Sequence, residues 1–329
     1  MKVIGLVLLS IVWLNLFPVE AGYTISPDYT VTIKDYGKIE QYYRLPGTYE
    51  VKSFIISNKN PAYGNYKYKV WYPSVMEERN RDWPLVVMLN GTGGSCDADE
   101  PLYEHLASWG FLVLGNTDSE TGLGYSAQYG LEQMKQLNAT KGSLFYQKVD
   151  TKHMGIVGYS QGGAGAYHAL QRPYGEEYDT LVTVSAVTQH ISHKLHLSSW
   201  LYDTSQVKIP TFMVAGTGPL DRKLITPLTD MKDNFMNLSS EEKIMGRRKG
   251  ADHLEIQEQA DAYITAWLRW QLKRDPYAKK VFTGKTPEIE NNPGWENVER
   301  KQHAGKKHGS SEMPHDSGHV ISLNENQNG

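Results

Sequence analysis

The pentapeptide Gly158-Tyr159-Ser160-Gln161-Gly162 constrains this chain more than any other stretch. A G-x-S-x-G turn of this kind needs a strand running into it and a helix running out. Both flanks qualify. His153-Met154-Gly155-Ile156-Val157 is a short apolar run of strand type, and Gly163-Ala164-Gly165-Ala166-Tyr167-His168-Ala169-Leu170 is a helix of small residues. A serine on so tight a turn is strained in its backbone, and bulk at the flanking glycines would clash. The turn lifts the hydroxyl clear of the sheet and leaves the next amide, that of Gln161, facing outward. The pentapeptide by itself also suits a plain Gly-rich turn. Its meaning rests on whether the serine finds partners elsewhere.

The rest of the chain alternates strand and helix. Two β-type runs, Tyr49 to Ile56 and Tyr66 to Tyr72, flank a turn-forming segment at 58–65. Leu85-Val86-Val87-Met88-Leu89 is continuously apolar, as a strand buried on both faces must be. It ends in Asn90-Gly91-Thr92-Gly93-Gly94. A helix from Leu102 to Trp109, a strand Phe111 to Leu114 and a helix Ser126 to Leu137 lead to the pentapeptide. Beyond it lie strands at Leu181–Val187, Thr211–Ala215 and Lys243–Met245 and a helix at Thr226–Phe235. A closing helix, Ile256 to Lys273, sets Ile264, Trp267, Leu268 and Leu272 on one face. This alternation predicts an α/β class fold, a mostly parallel central sheet with helices on both faces.

The ends read differently. Lys2 precedes an apolar run, Val3 to Phe17, and Val19-Glu20-Ala21 supplies small residues for cleavage. The expectation is a signal peptide at 1–21, an irregular lead-in at 22–48, an α/β domain at 49–285 and a disordered polar tail at 286–329. The mature chain is expected outside the cytoplasm: secreted, periplasmic or on the cell surface. No apolar run reaches the ~20 residues of a membrane helix, and a net charge of −3 gives no basic face for nucleic acid. Cys96 is the only cysteine, so no internal disulfide is possible. Asn90, Asn138 and Asn237 lie in glycosylation sequons. The tail histidines His303, His308, His315 and His319 could bind a metal, but their spacing is loose and a solvated tail is the expectation.

A serine hydroxyl needs a base, and on this kind of sheet the partners follow in the order Ser, acid, His. His253, in Lys249-Gly250-Ala251-Asp252-His253-Leu254, falls between the last expected strand and the closing helix. Asp221 is the first carboxylate after the Thr211–Ala215 strand, with Asp203 as the alternative acid. An oxyanion hole needs two amides. Gln161 supplies one and Thr92, in the glycine loop after Leu89, the other. That loop is not a phosphate-binding loop, because G-x-x-x-x-G-K-[ST] is lacking. The chemistry calls for no cofactor and no metal.

Three segments carry a resemblance. Ala107-Ser108-Trp109-Gly110-Phe111, the pentapeptide with Gly163, and Ala262-Tyr263-Ile264-Thr265-Ala266-Trp267-Leu268 resemble secreted α/β-hydrolases. The group is similar to the bacterial polyester hydrolase and cutinase-like family, with dienelactone hydrolases nearby. The resemblance implies an α/β-hydrolase fold over residues 50–283. It implies a nucleophile at Ser160, an acid at Asp221, a base at His253 and oxyanion donors at Thr92 and Gln161. Gln161 stands where polyester hydrolases usually have Met. In place of the family's aromatic clamp stands a segment at 190–200, His190-Ile191-Ser192-His193-Lys194-Leu195-His196-Leu197-Ser198-Ser199-Trp200. This segment reads as a polar connection or a cap. Tyr159 and Trp200 are expected to touch substrate. The expected substrate is an ester-containing small molecule, lipid or polymer. The rival readings are a non-catalytic binding protein on the same fold, and an acyltransferase or peptidase with the same triad.

Overall fold

A computed structural model describes residues 23–56 and 66–301. The expected signal peptide and the four tail histidines lie outside the described residues. Among the described residues, nine strands form one sheet: β1 (Val51–Ile56), β2 (Tyr68–Pro73), β3 (Trp83–Leu89), β4 (Leu112–Asn116), β5 (Val149–Tyr159), β6 (Thr180–Val184), β7 (Thr211–Gly216), β8 (Lys243–Arg248) and β9 (Trp295–Lys301). The spatial order is β1-β2-β4-β3-β5-β6-β7-β8-β9. From β4 to β8 neighbours run parallel, while β1, β2 and β9 run antiparallel to their neighbours. The main helices are α1 (Lys38–Arg44), α2 (Glu100–Ser108), α3 (Tyr125–Ala139), α4 (Gln161–Ala169), α5 (Gln189–Lys194), α6 (Leu228–Asn237), α7 (Ile256–Lys273) and α8 (Pro276–Phe282).

The period of two along each strand divides the core. In β3, Val86 and Met88 join one apolar layer with α1, α2, α7 and α8. Leu85, Val87 and Leu89 join the other, with α3, α4 and α6. Phe212 and Val214 of β7 face the first layer, and Met213 and Ala215 the second. Strands covered on both faces must be apolar throughout, which is why these runs were readable. With parallel strands, the loops at their carboxyl ends converge on one edge of the sheet, and the candidate residues leave from there.

Two expectations need correction. The lead-in is not irregular, since it contains α1 and a one-turn helix, Tyr29–Thr32. The polar region does not begin at 286. Glu288–Asn291 is helical and Trp295–Lys301 forms β9, a final strand beyond β8. The two segments support each other. Glu288 accepts the amides of Ile39 (2.8 Å) and Glu40 (2.8 Å), the free donors in the first turn of α1. Nothing local to either sequence announces this cap. A seven-residue helix and a polar edge strand get their stability from distant residues.

Candidate active site

The elbow after β5 has the strain its sequence implies. Ser160 sits at φ 53°, ψ −120°, in the left-handed half of backbone space where side chains are disfavoured. A Cβ on Gly158 would lie 2.1 Å from the carbonyl oxygen of Gly162, and one on Gly162 would lie 2.4 Å from that of Leu89. Both positions therefore exclude any side chain. The Ser160 amide donates to Val184 of β6 at 2.9 Å, which holds the turn over the sheet.

Ser160, His253 and Asp221 form one continuous series. His253 Nε2 is 2.9 Å from Ser160 Oγ, and His253 Nδ1 is 2.7 Å from Asp221 Oδ1. All three are buried, at 3%, 0% and 0% exposure. A carboxylate can only accept, so Nδ1 carries the proton and Nε2 is left to accept from the serine hydroxyl. Burial opposes the charge on Asp221. The facing His253 outweighs it, with the Ser185 hydroxyl and the Gly216 amide, and holds the carboxyl below its usual range. Ser185 donates to Oδ2, and the Gly216 amide does so at 2.7 Å. Asp203 is elsewhere: it is exposed and caps a short turn by accepting the Ser205 amide at 2.9 Å.

The loop after β3 lies alongside. Leu89 pairs with Gly158 across the parallel strands, so the glycine loop and the elbow leave the sheet side by side. A Cβ on Gly91 would be 2.9 Å from the Tyr159 ring and 3.2 Å from Ser160 Cβ. Only glycine permits that approach. Asn90 fixes the loop from below. Its Nδ2 donates to the carbonyls of Asn116 (2.8 Å) and Asp118 (3.1 Å). At 1% exposure Asn90 cannot serve as a glycan acceptor, whatever its sequon suggests. Thr92 lines a small cleft together with Gly91 and Tyr159. Gln161 is the first residue of α4, where a helical amide has no partner in the preceding turn.

The two residues expected to touch substrate are placed differently. The Tyr159 ring lies 5.1 Å from the His253 imidazole, its hydroxyl donates to the His253 carbonyl at 2.9 Å, and it lines the cleft. Trp200 is 4% exposed and belongs to the core layer, packed where a Cβ on Gly122 would meet its ring at 2.6 Å. Segment 190–200 is anchored by the buried Ile191 and Trp200, while His190, His193 and His196 point to the exposed side.

Sequence reasoning missed the residues that hold the triad. Asp252 Oδ1 accepts the amides of Leu220 (2.9 Å), Asp221 (3.1 Å) and His253 (2.9 Å), so one carboxylate ties the acid loop to the base loop. Thr217 and Gly218 add amide bonds to the Ala251 carbonyl at 2.9 and 2.8 Å. The only sequence signal for Asp252 was its place next to His253.

A nine-stranded, largely parallel sheet with a strained serine turn at the end of a central strand defines an α/β-hydrolase. A family model for PET hydrolase-like proteins matches residues 41–288, and the chain belongs to that family of ester-cleaving hydrolases. No curated protein matches the chain.

Proposed function

We propose that this chain is an exported serine hydrolase of carboxylic esters, with Ser160 as nucleophile, His253 as base and Asp221 as the acid that orients it. The observation that carries the reading is the buried series from Ser160 Oγ through both imidazole nitrogens to Asp221. Oγ attacks the ester carbonyl carbon as Nε2 takes its proton. The amides of Thr92 and Gln161 hold the oxyanion. Collapse of the tetrahedral intermediate expels the alcohol, which leaves with the proton from Nε2. Water then attacks the acyl-serine, giving its proton to Nε2, and the acid departs as Oγ regains the proton. The family's name makes PET a substrate to test alongside soluble esters. The charged start, apolar run and small residues before Gly22 support export.

Labelling with a fluorophosphonate tests the reading. The wild type should label and Ser160→Ala should not. A wild type that stays unlabelled, and cleaves neither p-nitrophenyl esters nor PET film, overturns it.

A further inference from the structure

Strand β8 ends in two arginines, and successive residues of a strand face opposite sides of the sheet. Arg248 reaches Asp35 and Glu40 and is paired there. Arg247 faces the other layer, that of Met245, and is 3% exposed. Among the described residues its side chain has one hydrogen-bond partner, the Gly216 carbonyl, which Nε meets at 2.8 Å. Nη2 is buried with none. A charge taken that far from water needs an opposite charge to sit against. Gly216 leads to it. This residue ends β7, next to Ala215, which pairs with Arg247 across the parallel strands. The Gly216 carbonyl accepts from the guanidinium, and the Gly216 amide donates to Asp221 Oδ2 at 2.7 Å. A single residue therefore lies between the arginine and the triad acid. Burial pulls the Arg247 guanidinium below its usual range, and Asp221 opposes that before Glu296, its cross-strand neighbour on β9, does.

We propose that Arg247 is a positioning residue of the triad: it fixes the end of β7 so that the Gly216 amide meets Asp221, and its charge offsets part of the field that Asp221 exerts on the imidazole. This rests on the ester-cleaving reading above. His253 faces Asp221 on one nitrogen and Ser160 on the other, with the Tyr159 ring 5.1 Å away and Asp252 accepting its amide. Asp221 faces His253, the Ser185 hydroxyl and the Gly216 amide, with the guanidinium behind Gly216. Asp221 and Asp252 carry negative charge and favour the imidazolium, and the buried positive charge of Arg247 opposes it. Arg222, also near, is exposed and screened by solvent. A base that stays neutral to lower pH is ready to take the Ser160 proton over a wider range.

The test is the acid limb of the kcat/KM profile with p-nitrophenyl acetate. Arg247→Met removes the charge at similar length. Its limb should move to higher pH by about half a unit, because Asp221 then holds the imidazolium more strongly. Arg247→Lys keeps the charge but loses the fork that holds Gly216. Its limb should stay at the wild-type position while kcat falls about threefold. A purely structural role lowers kcat in both variants and leaves the limb in place, which overturns the proposal. Titration of the His253 ring by NMR in Ser160→Ala, with and without Arg247→Met, makes the same comparison without turnover. Arg247→Gln replaces the Met variant there if that variant does not fold. A midpoint that does not move overturns the proposal, even if esters are cleaved. A midpoint that rises in a protein whose wild type cleaves nothing keeps the coupling of Arg247 to Asp221 and sinks the hydrolase.

Discussion

Asp252 and Asp221 are neighbours in space with different work. Asp221 faces the imidazole, whereas Asp252 accepts three backbone amides and touches no reacting atom. Asp252→Ala should therefore lower kcat by about 10²-fold through loosened geometry, with KM changed by less than about threefold. Asp221→Asn should cost about 10⁴-fold, because Nδ1 is no longer held in the right tautomer. The depressed Asp221 carboxyl also has a signature in stability. A folded-state value below the ordinary one, about 3.9, stabilises the fold above that ordinary value and is lost as pH falls through the lower one. The gap in urea midpoint between wild type and Asp221→Asn should shrink between about pH 5 and pH 2. A gap that stays constant over that range would refute the charge assignment. At this scale the sequence was informative where chemistry dictates residue type and strand-end position, as for Ser160, Asp221 and His253. Ser185, Asn90 and Asp252 were not legible, because accepting an amide or donating one hydroxyl is work that many loop residues can do.

Among the elements, those of the parallel sheet were readable because burial on both faces demands continuous apolar runs. The expected Ile256–Lys273 helix matches α7 at both ends. Its amphipathic face needed no distant partner to be seen. The last strand shows the opposite. In β9 only Trp295 is fully buried, and its polar companions resemble a solvated tail. Trp295 packs 5.1 Å from the Tyr263 ring of α7 and donates to Glu40 at 2.7 Å. Trp295→Ala should cost about 3–5 kcal/mol by chemical denaturation, the range for a large buried aromatic. A tail residue would cost nothing measurable. The burial of Trp200 was illegible for a related reason, since the sequence shows an indole but not the core cavity that receives it.

Across the whole molecule, the two ends of the described chain meet in a buried cluster of charges. Arg44 and Asp35 pair at 2.8 Å, and Arg248 reaches Asp35 at 3.4 Å and Glu40 at 3.2 Å, with all four groups buried. Asn292 donates to Glu40 at 2.8 Å. Arg248→Met leaves two carboxylates under-compensated and should destabilise the fold by about 3–5 kcal/mol. A chain cut to residues 41–288 loses Asp35, Asn292 and Trp295 together. It should melt well below the longer protein or fail to fold, as thermal denaturation of the two would show. The region of family likeness is then smaller than the unit that folds.

The same cluster sets an order of events on the ribosome. Residues 35–44 emerge early, yet their partners Arg248, Glu288, Asn292 and Trp295 are made more than 200 residues later. Contacts so far apart in sequence form late and slowly. The lead-in waits without its seat through most of synthesis. The seam between the lead-in and the last strand is one of the last parts of the protein to be set in place.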